Sequence, residues 1–186
     1  MKTETLTLYH TGYFVIEEPD IHHGRKNADF GQGFYLSDNY EFAHRWGRDF
    51  KGREVFVNRY EMDLSGLKIR KLERNEEWYD YIFSNRRGKK DYLKEYDLII
   101  GPIANDTIYD TMGVFTSGLL SREESLRMLL LGRRYVQYAL KSEKAKNNLK
   151  WLDAVRMTEK EIKESALWLK QEQKQYQLLI AEAVEQ

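Results

Sequence analysis

The sequence predicts an α+β domain. Short strand signals and helix signals are interspersed along the 186 residues, without the regular βα alternation of a parallel sheet. Both prolines, Pro19 and Pro102, lie before residue 103 and no glycine follows Gly132, so a loop-rich front gives way to a helical back. Hydrophobic residues make up 41% of the chain, enough for an ordinary core, and the 13% aromatic content excludes wholesale disorder.

The elements follow in order. Leu6 to His10 reads as a strand ending at Thr11-Gly12, and Phe14-Val15-Ile16 is a second short apolar run. Residues 20–33 read as polar loop, and Gly33 to Leu36 as a short strand. Ser37 or Asp38 caps a helix carrying Phe42, Ala43 and Trp46. Glu54 to Asp63 alternates as a strand, with Val55 and Val57 on one face and Phe56 and Tyr60 on the other. Asn75 caps a helix holding Trp78, Tyr81 and Ile82, and Tyr96 to Gly101 is a strand whose Leu98-Ile99-Ile100 run suits burial on both faces. Ser121 to Glu124 is a capping box opening a helix through Leu126, Leu129 and Leu130. Tyr135 to Leu140 is a strand, and Ser142 caps a helix with Ala145 and Leu149. A second capping box, Thr158 to Glu161, opens a helix to the chain end. Its Ile162, Ala166, Leu169, Tyr176, Ile180 and Ala183 form a seam at heptad spacing if Gln173 fills the gap. The division is a body over 1–157 and an amphipathic helix over 158–186. That helix either docks on its own body or pairs with a second copy or a partner.

Thirty Lys and Arg balance thirty Asp and Glu, which argues against a general polyanion binder but allows a local basic groove. Arg86, Arg87, Lys89 and Lys90 are candidates for one, against the plainer reading of a solvated loop. The absence of cysteine removes disulfides, thiolate zinc sites and Cys nucleophiles. No apolar run follows Met1, and none approaches a membrane span, so a soluble, cytoplasmic protein without a membrane partner is expected.

The chain has no phosphate-loop, zinc-helix or nucleophile-elbow motif. Asp29-Phe30-Gly31 spells the kinase magnesium tripeptide but lies too early, with no catalytic-loop partner, and reads as coincidence. His10, at a strand mouth, has a donor and an acceptor for a ribose hydroxyl, or is simply a surface histidine. His22 and His23 lack an acidic partner at ligand spacing, so no metal site is expected. Arg25, in the same loop, has the reach and charge for a phosphate. Tyr35 alternates with apolar Phe34 and Leu36, which suits either a wet sheet face or a ring lining a cleft.

Leu8-Tyr9-His10-Thr11-Gly12 followed by Asp29-Phe30-Gly31-Gln32-Gly33-Phe34-Tyr35-Leu36-Ser37 resembles the front of an ADP-ribosyltransferase-type fold. More closely, it resembles a family of small bacterial proteins in that superfamily, named only as a domain of unknown function. The family pattern is Y-H-G-[ST], then D-F-G-x-G-F-Y-L-[ST], G-P-[VI]-A-N-D and Q-x-x-F-[HK]-[TS]-E-K-A. Here the last two are Gly101 to Asp106 and Gln137 to Ala145, and the resemblance covers about residues 6–155. Thr11-Gly12 stands where the family shows Gly then Ser or Thr, and Leu140 where it shows Phe.

The resemblance implies a split β-sheet that binds NAD, with a signature spread over three strands. His10 matches the ribose-contacting histidine, and Tyr35 the tyrosine that packs on nicotinamide. Gln137 falls where the superfamily usually carries a glutamate that holds a ribose hydroxyl and stabilises an oxocarbenium-like transition state. A neutral amide hydrogen-bonds but supplies no charge. Thr11, Gly12, Phe30 and Gly33 are expected beside the cofactor with Arg25, and Asp106 at the cleft edge either caps a helix or positions substrate. Glu143 is the nearest acid after Gln137, and its place at a helix start also suits the helix dipole. The expected activity is transfer of ADP-ribose from NAD to an unknown protein or nucleic-acid acceptor. Related families often act as toxins, so an antitoxin is an expected partner. The alternative is an inactive protein of the same fold that senses NAD or holds a partner.

Overall fold

The computed structural model describes residues 5–47, 52–104 and 121–184. Among them are seven strands and five helices in an α+β arrangement. The strands are β1 (Thr5–Gly12), β2 (Phe34–Leu36), β3 (Phe56–Asp63), β4 (Ile69–Lys71), β5 (Leu98–Pro102), β6 (Val136–Leu140) and β7 (Leu149–Arg156). The helices are α1 (Tyr40–Trp46), α2 (Glu76–Arg86), α3 (Arg122–Leu129), α4 (Glu143–Asn147) and α5 (Glu159–Val184).

The strands form two sheets, β1-β3-β7 and β2-β6-β5-β4. All pairings are antiparallel except β4 with β5. The sheets meet at one isolated bridge, where Tyr9 and Ser37 exchange N–H···O bonds of 2.8 and 2.9 Å. β5 is central in its sheet and buried at every residue, as its unbroken apolar run requires. Val55 and Val57 pack with Met157, while Tyr60 and Met62 join a separate cluster with Leu8 and Leu98.

Two expectations need correction, and two strands were not expected. Asn39, not Ser37 or Asp38, caps α1, its side chain accepting from the Phe42 N–H. Ser37 is committed to the bridge with Tyr9, and Asp38 accepts from the Tyr138 hydroxyl at 2.8 Å. Leu149 begins β7 and is not part of the helix after Ser142, because that helix ends at Asn147. β7 and the short β4 had no counterpart in the sequence reading.

α5 packs on the body. Tyr176 is 2% exposed and clusters with Phe42, Ile103 and Tyr135, and the Arg45 guanidinium lies 4.0 Å from the Trp168 ring centroid. Ile162, Ala166, Leu169, Gln173 and Ile180 are all half-buried, whereas Leu178 and Leu179 face solvent.

Candidate active site at the seam between the sheets

A cavity of about 350 Å3 opens beside the Tyr9–Ser37 bridge. His10, Thr11, Tyr35 and Gln137 line it from β1, β2 and β6, with Phe42, Ala43 and Trp46 of α1 as an apolar wall. Its volume lies in the range of small-molecule sites, roughly 300–1,000 Å3.

His10 Nδ1 lies 2.7 Å from the Tyr35 carbonyl oxygen. A carbonyl only accepts, so Nδ1 carries the proton and Nε2 keeps its lone pair. Burial lowers the pKa of His10, and the bond to the Tyr35 carbonyl opposes this only in part, so the ring is neutral at pH 7. Phe34 backs it at 4.5 Å between centroids. The neighbouring Thr11 Oγ1 donates to the Ala43 carbonyl at 2.5 Å and ties the strand end to α1.

Tyr35 gives the cavity its ring and spends its hydroxyl elsewhere. The hydroxyl donates to the Gly31 carbonyl at 2.5 Å and accepts from the Phe30 N–H at 3.0 Å. Burial first, then the nearby Asp29 charge, push its pKa far up, so it stays a phenol. Gln137 sits on β6 opposite Gly101 and is 8% exposed, and its Nε2 is buried without a hydrogen-bond partner among the described residues. An unmatched buried amide costs free energy in the folded protein, and at the cavity lining it is a donor open to a bound molecule.

The cavity also has a charged wall. The Arg86 Nε donates to Asp29 Oδ1 at 2.8 Å, with the two side chains 5% and 9% exposed. The Asp29 carbonyl accepts from Asn85 Nδ2 at 3.1 Å. The Phe30 carbonyl accepts from the Tyr81 hydroxyl at 3.2 Å and from Lys141 Nζ, which pairs with Asp91 at 3.1 Å. The Asp29-Phe30-Gly31 tripeptide is thus an anchor whose backbone is held from α2, β2 and the end of β6.

Several expected site residues fall elsewhere. The Phe30 ring is fully buried in the core, stacked on Tyr81 at 5.8 Å between centroids, and does not line the cavity. Gly33 is a packing glycine, since a Cβ there would lie 2.5 Å from the Leu140 carbonyl oxygen. A Cβ on Gly12 would lie 3.4 Å from His10 Nε2, so its smallness leaves that edge of the ring open. Arg25 is exposed and lies at the cavity lining. Arg86 leaves the surface run assigned to it and is buried on Asp29. Glu143 is in the first turn of α4, paired with Lys146 at 3.2 Å and away from the cavity. Asp106 lies outside the described residues. His22 and His23 are exposed, and the described residues contain no cluster of three or more His, Asp or Glu able to hold a metal. Sequence reasoning missed Asp29 and Arg86 as a pair, since no local signal links residues so far apart in the chain.

A family model described as Protein of unknown function (DUF3990) matches residues 6–151. The chain belongs to that family. The DUF3990 match runs from β1 into β7, so it spans every strand that lines the cavity and ends before α5. Comparison with curated proteins and with solved structures returns no match. No helix among the described residues is long and apolar enough to cross a membrane.

Proposed function

We propose that this DUF3990 protein is an NAD-dependent ADP-ribosyltransferase with a split-sheet fold of the ADP-ribosyltransferase type. It moves ADP-ribose to a macromolecular acceptor and releases nicotinamide. One observation carries the reading: His10, Tyr35 and Gln137, from three separate strands, line a single cavity at the seam between two sheets.

The residues suit the chemistry. The Tyr35 ring, immobilised through its hydroxyl, is a stacking surface for a flat pyridine ring. His10 Nε2 is an acceptor for a ribose hydroxyl, and the Gln137 amide is a donor with no other partner. Arg25 at the lining supplies positive charge for the diphosphate. The bond from the ribose C1′ to the nicotinamide nitrogen breaks with its electron pair leaving on nicotinamide. The acceptor's nucleophile bonds to C1′ and gives its proton to solvent. Orientation and electrostatics lower the barrier. Gln137 orients but adds no negative charge, and this favours a second reading, a sensor that binds NAD without turning it over. In a toxin–antitoxin setting, the partner that silences the enzyme would cover this cavity.

Calorimetry with NAD tests both readings. The wild type binds, and His10→Ala and Tyr35→Ala each bind more weakly, the lost ring stack costing about 0.5–1.5 kcal/mol. Gln137→Ala abolishes transfer, whereas Gln137→Glu keeps or raises the rate of NAD cleavage. Binding without cleavage in both the wild type and Gln137→Glu selects the sensor. A wild type that does not bind NAD sinks both. Labelled NAD added to a lysate, followed by mass spectrometry, identifies the acceptor.

A further inference from the structure

We infer that a basic rim beside the cavity holds a single-stranded nucleic acid and presents it as the acceptor. The rim consists of two loops that Asp29 joins. One is the turn from Arg25 to Ala28, closed by an N–H···O bond of 3.4 Å, and the other is the segment 87–90 after α2. Asp29 follows the first loop directly, and it grips Arg86 and Asn85 immediately before the second. Arg25 carries the rim to the cavity lining.

Arg25, Lys26, Arg87, Lys89 and Lys90 are all exposed, and none is in an ion pair with a described residue. The carboxylates nearest in sequence, Asp29 and Asp91, are neutralised by Arg86 and Lys141. A chain whose formal charge sums to zero therefore has a cluster of exposed cations on these two loops, which Arg25 joins to the cavity lining.

An exposed aromatic ring stands beside these cations. The Arg87 guanidinium lies 5.2 Å from the centroid of the half-buried Phe83 ring, whose other partner Tyr79 belongs to the core, and the ring open to a base is that of Tyr92, 49% exposed two residues past Lys90. Cations that track a backbone, interleaved with rings on which bases stack, are what an unpaired strand needs. Phosphates alone would also suit an anionic membrane, but between residues 22 and 92 the rim segments expose no large aliphatic side chain to insert. A strand also carries base nitrogens and ribose hydroxyls that are nucleophiles for C1′. Strand binding rests on the rim alone, whereas modification of the strand rests on the transferase reading.

The test is fluorescence anisotropy of the full chain with end-labelled single-stranded RNA and DNA of about 20 nucleotides, with salt varied and NAD absent. Binding is expected to weaken with salt, by about 0.7 in log–log slope for each phosphate neutralised. Lys89→Glu with Lys90→Glu lowers that slope by about 1.4 and weakens binding at least tenfold at low salt. Both positions are exposed, so the melting temperature serves as the folding control, and Lys26→Glu with Arg87→Glu is the second pair. No binding by the wild type at low salt overturns the inference. So does equal binding by both charge-reversed pairs, or tighter binding to the matching duplex, to polyglutamate or to phosphatidylserine vesicles. With labelled NAD added, label on the strand supports the acceptor assignment. Label on protein alone overturns it. Strand binding without any NAD binding is a failure of the transferase reading and still supports the rim.

Discussion

Two neighbouring groups of buried polar side chains use their hydrogen bonds differently. Around Asp29, Arg86, Tyr81, Asp91 and Lys141, the polar atoms are matched with one another and with the backbone of residues 29–31. Around His10 and Gln137, capacity is left over: a ring nitrogen with a lone pair, and an amide nitrogen with no partner among the described residues. The first group costs desolvation and recovers it internally, so its product is a rigid loop. The second leaves part of its cost unrecovered within the fold, so it adds hydrogen-bonding capacity to the cavity rather than rigidity. Tyr35 belongs to both, with its hydroxyl in the brace and its ring in the cavity.

The largest test of this contrast is Arg86→Met. It removes the guanidinium that pairs with the buried Asp29 carboxylate, and should cost about 3–5 kcal/mol in urea unfolding. Adding Asp29→Leu should recover most of that loss; if it does not, the pair is not acting as a unit. Tyr35→Phe comes next. It removes one donor and one acceptor from the Gly31 carbonyl and the Phe30 N–H, for about 1–3 kcal/mol. Because the ring remains, NAD affinity should change far less than in Tyr35→Ala. Gln137→Leu should be within about 1 kcal/mol of neutral, or stabilising, since it deletes an unmatched amide. Loss of NAD binding in the same variant would separate affinity from stability, and marked destabilisation would show that the amide is structural.

The smallest effect is a pH dependence. Folding lowers the pKa of His10 below its ordinary 6.5, so on acidification the unfolded chain takes up the proton first. Stability should therefore fall as pH drops below 6.5, level off once the folded form also protonates, and lose this component in His10→Gln. Unchanged pH profiles in the two proteins would mean that His10 is solvated.

The sequence was most legible where local chemistry decides the outcome. The Ser121 and Thr158 capping boxes, the Asn75 cap and the apolar run of β5 are each fixed by residues within one turn or one strand. His10, Tyr35 and Gln137 were legible as strand residues with polar side chains. Contacts across the sequence were not. Ser37 and Asp38 lost the cap to Asn39 because their side chains are engaged elsewhere, the Ser37 hydroxyl with the Val136 carbonyl and the Asn39 N–H, the Asp38 carboxylate with the Tyr138 hydroxyl. Leu149 kept helical spacing from Ala145 but joined β7, where pairing with Met62 of β3 outweighs one more helical turn. Asp29 and Arg86 are 57 positions apart, and neither segment alone carries a trace of the other.

The Tyr9–Ser37 bridge sets the mechanics of the whole site. Among the described residues, main-chain hydrogen bonds join the two sheets at that bridge alone. Side chains pack the rest of that joint: Leu8, Tyr60 and Met62 of one sheet share a buried cluster with Leu36, Leu98 and Tyr138 of the other, while His10 and Thr11 come from the first sheet, Tyr35 and Gln137 from the second, and the His10–Tyr35 bond spans the two. A ligand that grips both sheets is then a cross-brace. Its binding energy would then add to the shared core and the bridge in holding the two sheets together.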